Sequence, residues 1–305
     1  MKKETIIGCL VANAFGLGMI AFTKMISGHG TLTYLASVFT VSDFIILPLL
    51  MGIILAYSWR KLENKGRDYF WYACASSLFT LTGSYFFLGE GYICIIIISP
   101  LLIGFVVAGI YIGRVMFRRN RNKLNVSIFS LLVVVTLLDS FTVRPYENMV
   151  ADTMIVNAPP EKVWQYVTAY EPIKEEPEYW LFKAGMPSPV QSTVDGYFEG
   201  AGRKCIFSNG YTFDEKMTVY KPSQNLTFDI TNQPRDPEIM GHIDILRGQF
   251  ILKDNGDGTT TLTGNSWYRL YVAPSWYFDV WAESITRNVH LRVMAHIKKL
   301  SEKDV

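Results

Sequence analysis

One apolar run divides this chain into two halves of different character. Residues 124–143 read LNVSIFSLLVVVTLLDSFTV, long enough to cross about 30 Å of hydrocarbon as a helix. Before this run, charged residues occur in short clusters between long apolar stretches; after it, charged and apolar residues interleave as in a soluble domain. Only 18% of the residues are charged, whereas soluble domains contain about 25%. We therefore predict a multi-pass transmembrane domain at 1–145 and a second folded domain at 146–305.

The first half contains four more apolar runs, which with 124–143 predict about five transmembrane helices. The first run follows Lys2 and Lys3, and it is too long for the apolar part of a signal peptide and lacks a small-residue cleavage site. The second run contains Asp43, so either its helix starts near this residue, leaving 27–42 as an interfacial segment, or Asp43 faces other helices. The four runs are Thr5–Phe22, part of 32–59, 69–88 and Tyr92–Phe117.

The loops between these runs predict the orientation of the chain. Lysine and arginine cluster before the first run, at 60–67 and at 118–123, and the alternate loops at 27–31 and 89–91 have none. With five crossings, all three basic clusters lie on one side, which the positive-inside rule makes cytoplasmic. The sequence thus predicts a multi-pass cell-membrane protein with a cytoplasmic N-terminus and an extracytoplasmic C-terminal domain.

The second half has the pattern of an α+β domain. A predicted strand at 152–157 precedes APPEKVW, in which proline suits the first turn of a helix, and a second short helix is predicted near 177–183. Asn209-Gly210 and the segment 254–258 predict hairpin turns between antiparallel strands. A long amphipathic helix closes the chain from Pro274 to about Ser301. Its predicted buried stripe is Phe278, Trp281, Ile285, Val289, Val293, Ile297 and Leu300.

This order of elements, together with APPEKVW after the first strand, resembles the START-like superfamily, also known as SRPBCC or the polyketide cyclase/dehydrase and lipid transport group. The resemblance covers about residues 151–303. It implies a helix-grip fold, in which a curved antiparallel sheet wraps around the long C-terminal helix. It also implies an apolar cavity between sheet and helix that holds a lipid or another hydrophobic ligand.

Strand parity selects the residues that could line such a cavity. With a two-residue turn at Asn209-Gly210, Lys204 is predicted to lie opposite Glu215, on a face that otherwise carries Ile206, Tyr211, Phe213, Met217 and Val219. The pair could orient a polar head group, or it could be an ordinary ion pair at the sheet margin, which would contribute little. The predicted ligand-contacting residues are Lys204, Tyr211, Phe213, Glu215, Met217, Trp281 and Ile285.

Several other kinds of site are not predicted. The second half has one cysteine, Cys205, so it contains no disulfide framework. His290 and His296 are six residues apart on a helix and point in different directions, and His242 with Asp244 offers too few ligands for zinc. We therefore predict no metal and no cofactor. The chain also lacks nucleotide-binding and hydrolase motifs, and it has no basic stripe with interleaved aromatics for nucleic acid.

The sequence is compatible with three functions. The interpretation we favour is a membrane-anchored binding module whose partners are the lipid bilayer and a hydrophobic small molecule or lipid. A second is an enzyme of cyclase or hydrolase type on a hydrophobic substrate, with Glu215 as the acid or base. A third is a membrane sensor or assembly protein, for which an exposed apolar patch would be expected. The sequence identifies no protein partner, and outside the second of these functions it predicts no catalytic residue.

Overall fold

The chain forms two compact units. One comprises Met1–Pro145, Pro237–His242 and Tyr271–Tyr277, and the other comprises Tyr146–Asp236, Ile243–Leu270 and Phe278–Val305. The computed structural model describes residues 3–27, 41–60, 66–89, 91–119, 130, 134–135, 145–234 and 242–303.

The first unit is helical. A π-helical segment, Ser42–Ile46, leads directly into the second helix, and Asp43, within this segment, is buried. Within the described part of this unit the α-helices are α1 (Lys3–Ser27), α2 (Leu47–Ser58), α3 (Gly66–Leu88) and α4 (Tyr92–Arg119).

Close contact between α2 and α4 depends on small residues. A Cβ atom on Gly52 would lie 2.2 Å from the Val106 carbonyl oxygen, and one on Gly109 would lie 2.3 Å from the Leu49 carbonyl oxygen. Only hydrogen fits in these gaps, so the two backbones can approach each other closely. Such small-residue contacts are typical of helices that associate in a bilayer, where burial of apolar surface supplies no driving force.

A buried polar cluster joins α1 to α3. The Asn13 side-chain amide donates to the Cys9 carbonyl at 2.7 Å and to Ser76 Oγ at 2.8 Å, and the Thr80 hydroxyl donates to Asn13 Oδ1. Hydrogen bonds between apolar helices fix their register as well as holding them together.

Length and hydropathy qualify two of the described helices, rather than five, as membrane spans. They are Thr5–Phe22 and Tyr92–Phe117, the predicted first and fourth crossings. The helical segment Ser42–Ser58, at the predicted second crossing, is apolar but shorter. Helix α3 covers the predicted third crossing, but its serine, threonine and tyrosine residues lower its hydropathy. The predicted fifth crossing lies almost entirely outside the described residues.

The second unit has the predicted helix-grip fold. Seven strands among its described residues form one curved antiparallel sheet in the order β1-β7-β6-β5-β4-β3-β2. Two short helices, α5 (Pro160–Thr168) and α6 (Trp180–Lys183), connect β1 to β2, and a long helix, α7 (Ser275–Glu302), follows β7. The strands are β1 (Tyr146–Val156), β2 (Pro189–Val194), β3 (Gly202–Phe207), β4 (Thr212–Lys221), β5 (Asn225–Asn232), β6 (Ile243–Asp254) and β7 (Thr260–Leu270).

The core of this unit lies between the inner face of the sheet and the second half of α7. Alternate residues of the strands point into it, as the period of a half-buried sheet requires, and α5 closes one end with Val163, Trp164 and Val167. The other buried apolar residues of this core include Val156, Met217, Leu226, Phe228, Phe250, Leu252, Leu262, Val293, Met294 and Ile297.

The buried stripe of α7 differs from the predicted one. Phe278, Val293 and Ile297 are buried as predicted, whereas Trp281, Ile285, Val289 and Leu300 are only partly buried. Between Phe278 and Val293 the buried positions are Ala282, Thr286 and His290. The prediction followed the large apolar residues and so missed the polar side chains that are buried on this helix, which are Thr286, His290, His296 and Ser301.

Candidate functional site

The hairpin of β3 and β4 shows where the predicted ligand residues lie. The Phe207 amide donates to the Tyr211 carbonyl at 2.8 Å, so the turn holds three residues, 208–210, rather than two. Gly210 closes it with a φ of 86°, the left-handed conformation that three-residue hairpin loops need. One extra turn residue shifts the register by one position across the two strands.

The predicted pairing of Lys204 with Glu215 is therefore wrong. Lys204 lies opposite Asp214 and is exposed, with its Nζ atom 4.0 Å from the Asp214 carboxylate. Glu215 lies opposite Arg203 instead. On β4 the predicted parity holds, because Phe213, Glu215 and Met217 are all buried. Tyr211 lies at the edge of the turn, and Trp281 packs against Trp180 of α6 with ring centroids 6.4 Å apart.

Arg203 and Glu215 form an ion pair inside the domain. Their exposed fractions are only 3% and 6%. The Arg203 Nη1 atom donates to Glu215 Oε2, and its Nε atom donates to the Thr168 carbonyl at 3.0 Å. The guanidinium also lies over the Phe228 ring, 4.5 Å from its centroid. A buried pair with this many partners is held in one geometry, because each group would be strongly destabilised without the other.

Two weakly acidic groups lie beside this pair. The Tyr170 hydroxyl is 4.0 Å from Cys205 Sγ. Burial raises the pKa of Tyr170 well above its usual value and raises the pKa of the Cys205 thiol to about 12. Burial also raises the pKa of the Glu215 carboxyl, a rise that the Arg203 guanidinium opposes. At neutral pH the tyrosine and cysteine are uncharged, so the charge of this cluster resides in the Arg203–Glu215 pair.

A second polar cluster joins β1, β7 and α7. His290 Nε2 lies 2.7 Å from Asp152 Oδ2, and His290 Nδ1 lies 3.3 Å from Ser266 Oγ. Arg287 Nε donates to the same Asp152 oxygen at 3.1 Å. No sequence pattern singles out these three residues, since they are 114 and 24 positions apart and no local motif connects them. The sequence feature that could have indicated them is the alternation of residues along the strands. This alternation puts Asp152 and Ser266 on the inner face of the sheet, opposite the buried stripe of α7.

A cavity of about 400 Å³ lies elsewhere in the domain, between α7 and the segment 173–182. Met154, Ile173, Phe182 and Leu291 give it an apolar lining, and Ile173 belongs to the domain core. Charged and polar groups supply the rest. As far as the described residues go, none of the seven predicted ligand-contacting residues lines this cavity. The remaining lining residues are Glu175, Glu176, Glu178, Tyr179, Asn288, Arg292, Ala295, His296 and Lys299.

His296 is the most buried polar group of the cavity lining. Its Nε2 atom lies 3.1 Å from the Glu171 carbonyl oxygen, to which it can donate, and burial lowers the pKa of the ring. The neutral ring then presents an acceptor at Nδ1, and this atom has no hydrogen-bond partner among the described residues. The nearest charged group to it is Glu175, with Oε2 at 3.7 Å, and Glu175 is itself bonded to Lys299.

The fold and these interior groups define a class, the helix-grip domains with polar residues set into an apolar interior. The chain belongs to the polyketide cyclase/dehydrase and lipid transport family, whose sequence profile matches residues 149–302. No curated protein matches the chain. Among the residues that the structure describes, no three His, Cys, Asp or Glu side chains are grouped so that they could hold a metal ion.

Solved structures similar to this chain cover about half of it. The Zhui aromatase/cyclase from Streptomyces sp. R1128 is 10% identical over 52% of this chain and 95% of its own, with a TM-score of 0.37. Norcoclaurine synthase from Thalictrum flavum is 11% identical over 53% of this chain and 90% of its own, with a TM-score of 0.37. The protein XoxI from Bacillus cereus is 14% identical over 51% of this chain and 96% of its own, with a TM-score of 0.35.

Proposed function

We propose that this chain is a membrane-anchored binding protein that holds a hydrophobic, lipid-like ligand in the cavity beside α7. The observation that carries the proposal is the cavity itself. Its volume of about 400 Å³ lies in the range of small-molecule sites, and such sites combine an apolar lining with a few placed polar groups. Met154, Ile173, Phe182 and Leu291 supply that lining, and family membership supports a ligand of this class.

The polar end of the ligand would lie beside His296. A buried acceptor without a donor is unfavourable, and a ligand hydroxyl or N–H group would satisfy Nδ1. Arg292 and Lys299 give the same lining positive charge, while Glu175, Glu176 and Glu178 oppose it. This mixture favours a neutral polar group, such as an alcohol or an amide, over a strongly charged head group.

Anchoring by an odd number of crossings is the second part of the proposal. The apolar spans Thr5–Phe22 and Tyr92–Phe117 support membrane insertion, and the three basic clusters of the sequence support a cytoplasmic N-terminus. With five crossings, the helix-grip domain lies outside the cytoplasm. It would then take its ligand from the adjacent leaflet.

Photo-crosslinking of the full-length chain in detergent tests the binding site. A fatty alcohol with a diazirine in its alkyl chain should label the peptides that contain Phe182 and Leu291. Ala295 lines the cavity and is exposed, so Ala295→Trp should fill the space and remove most of this label. Val280→Trp places the same ring on an exposed part of α7 and should leave the label unchanged. Equal labelling of the two variants would contradict the proposal.

A further inference from the structure

The cluster of Ser266, His290 and Asp152 has the connectivity of a hydrolytic site. The short contact of 2.7 Å between His290 Nε2 and Asp152 assigns the ring proton to Nε2, since the carboxylate can only accept. His290 Nδ1 then carries a lone pair, and the Ser266 hydroxyl, at 3.3 Å, is the group that can donate to it. Ser266, His290 and Asp152 thus form one chain of hydrogen bonds, in which a nucleophile contacts a base and the base contacts a residue that orients it.

The exposure of these groups suits their roles. His290 is 5% exposed, and Ser266 is partly exposed, so the base is shielded while the nucleophile can be reached. Burial lowers the pKa of His290, so the imidazole is neutral at pH 7 and able to accept a proton. Arg287 Nε lies 3.1 Å from the same Asp152 oxygen and adds a second contact that holds the carboxylate in place.

The neighbours of Ser266 indicate an apolar substrate. Its partner on β1 is the buried Val150, and its partner on β6 is Gly248. The Phe228 ring covers Gly248, because a Cβ atom there would lie 2.4 Å from Phe228 Cζ. Thr286, four residues before His290 on the same helix face, is buried, and among the described residues its hydroxyl has no hydrogen-bond partner. That hydroxyl is therefore an unused donor on the helix face that carries His290.

We propose that Ser266, His290 and Asp152 hydrolyse a carboxylic ester with a hydrophobic acyl or alcohol part. Ser266 Oγ bonds to the ester carbonyl carbon while its proton passes to His290 Nδ1. The C–O bond of the ester then breaks, and the alcohol leaves with that proton. Water gives a proton to His290 and adds to the acyl-serine; the acid leaves, and Ser266 regains its proton. The net reaction is ester plus water to acid plus alcohol, and it goes beyond the binding function proposed above.

A fluorophosphonate probe and p-nitrophenyl butyrate test this activity on the full-length chain in an ester-free detergent. We expect the probe to modify Ser266, identified by peptide mass spectrometry, and the ester to be hydrolysed. Ser266→Ala should abolish the modification and lower the hydrolysis rate by about 10²-fold or more. Ser208→Ala, at an exposed serine of the β3–β4 turn, is the matched control and should change neither. Thermal unfolding of each variant establishes that it is folded.

Asp152→Asn separates a positioning role from a structural one. If Asp152 orients His290, this variant should lower kcat far more than it changes KM, and it should alter the pH profile of hydrolysis. The activity proposal is overturned if wild-type protein shows neither modification nor hydrolysis, or if Ser266→Ala retains either. These outcomes leave the crosslinking result at the cavity untouched, so failure of the triad is distinguishable from failure of the binding function.

Discussion

At the scale of single residues, the interior ion pair is the feature with the largest expected effect on stability. Removing one member of a buried pair leaves an uncompensated partner in an apolar setting, which destabilises by about 3–5 kcal/mol. We therefore expect Glu215→Gln to lower the free energy of unfolding by about this amount. The double variant Arg203→Met/Glu215→Leu should recover most of the loss, because apolar residues of similar volume can replace such a pair. Denaturant unfolding in detergent, followed by tryptophan fluorescence, measures both.

Lys204→Met is the matched control for that experiment. Lys204 is next in sequence to Arg203, but it is exposed and 4.0 Å from its acidic partner, so its loss should change stability by less than about 1 kcal/mol. If Glu215→Gln and Lys204→Met lowered the free energy of unfolding equally, the interior pair would contribute no more to stability than the exposed pair. The same comparison tests the register, because the sequence-based pairing of Lys204 with Glu215 predicts similar effects for both substitutions.

The sequence predicted Glu215 correctly as an inward-facing residue but could not identify its partner. The alternation of inward and outward residues depends on β4 alone, so the predicted inward direction of Glu215 does not depend on the partner strand. The partner depends on the length of the turn at Asn209-Gly210, and the same two residues occur in turns of two or three residues. Asp152, Ser266 and His290 were missed for a related reason: their proximity depends on which strands pair and on how α7 is rotated, and neither can be read from a local pattern.

At the scale of elements, tight contact between α2 and α4 makes a separate prediction. Gly52→Ala would place a methyl group 2.2 Å from the Val106 carbonyl oxygen, so the helices must separate. Overpacking of this kind costs about 1–3 kcal/mol, and we expect a lower melting temperature in detergent. Gly104→Ala, on α4, meets nothing within 4 Å and should leave the melting temperature unchanged or raise it slightly. Equal melting temperatures would contradict the close approach.

The helices also show which parts of an element a pattern can predict. Among the described residues, the long helices were predicted from length and period, and the two predicted hairpin turns from glycine-containing segments. The exact buried face of α7 did not follow, because the buried stripe contains Thr286 and His290, and hydropathy ranks such residues as exposed. A polar residue in a buried stripe can therefore be identified only once the packing is known. Here one such residue, His290, belongs to the proposed hydrolytic site.

At the scale of the whole molecule, the location of the helix-grip domain decides which ligands it can meet. Domains outside the cytoplasm meet the outer leaflet and the medium, so a carrier or an esterase there would act on lipids or on imported molecules. The orientation rests on the basic clusters of the sequence, since the predicted fifth crossing, 124–143, lies almost wholly outside the described residues. It can be tested without any knowledge of the ligand.

Cysteine labelling of intact cells tests this orientation. The β6–β7 turn is exposed at Asp257, and Arg60 is exposed in the loop after α2. We expect Asp257→Cys to react with a membrane-impermeant maleimide on intact cells, and Arg60→Cys to react only after lysis. The native Cys205 should contribute little background, because burial raises its pKa to about 12 and the thiolate is the reactive form. If Asp257→Cys also required lysis, the domain would be cytoplasmic, the number of crossings would be even, and a ligand would have to come from the inner leaflet.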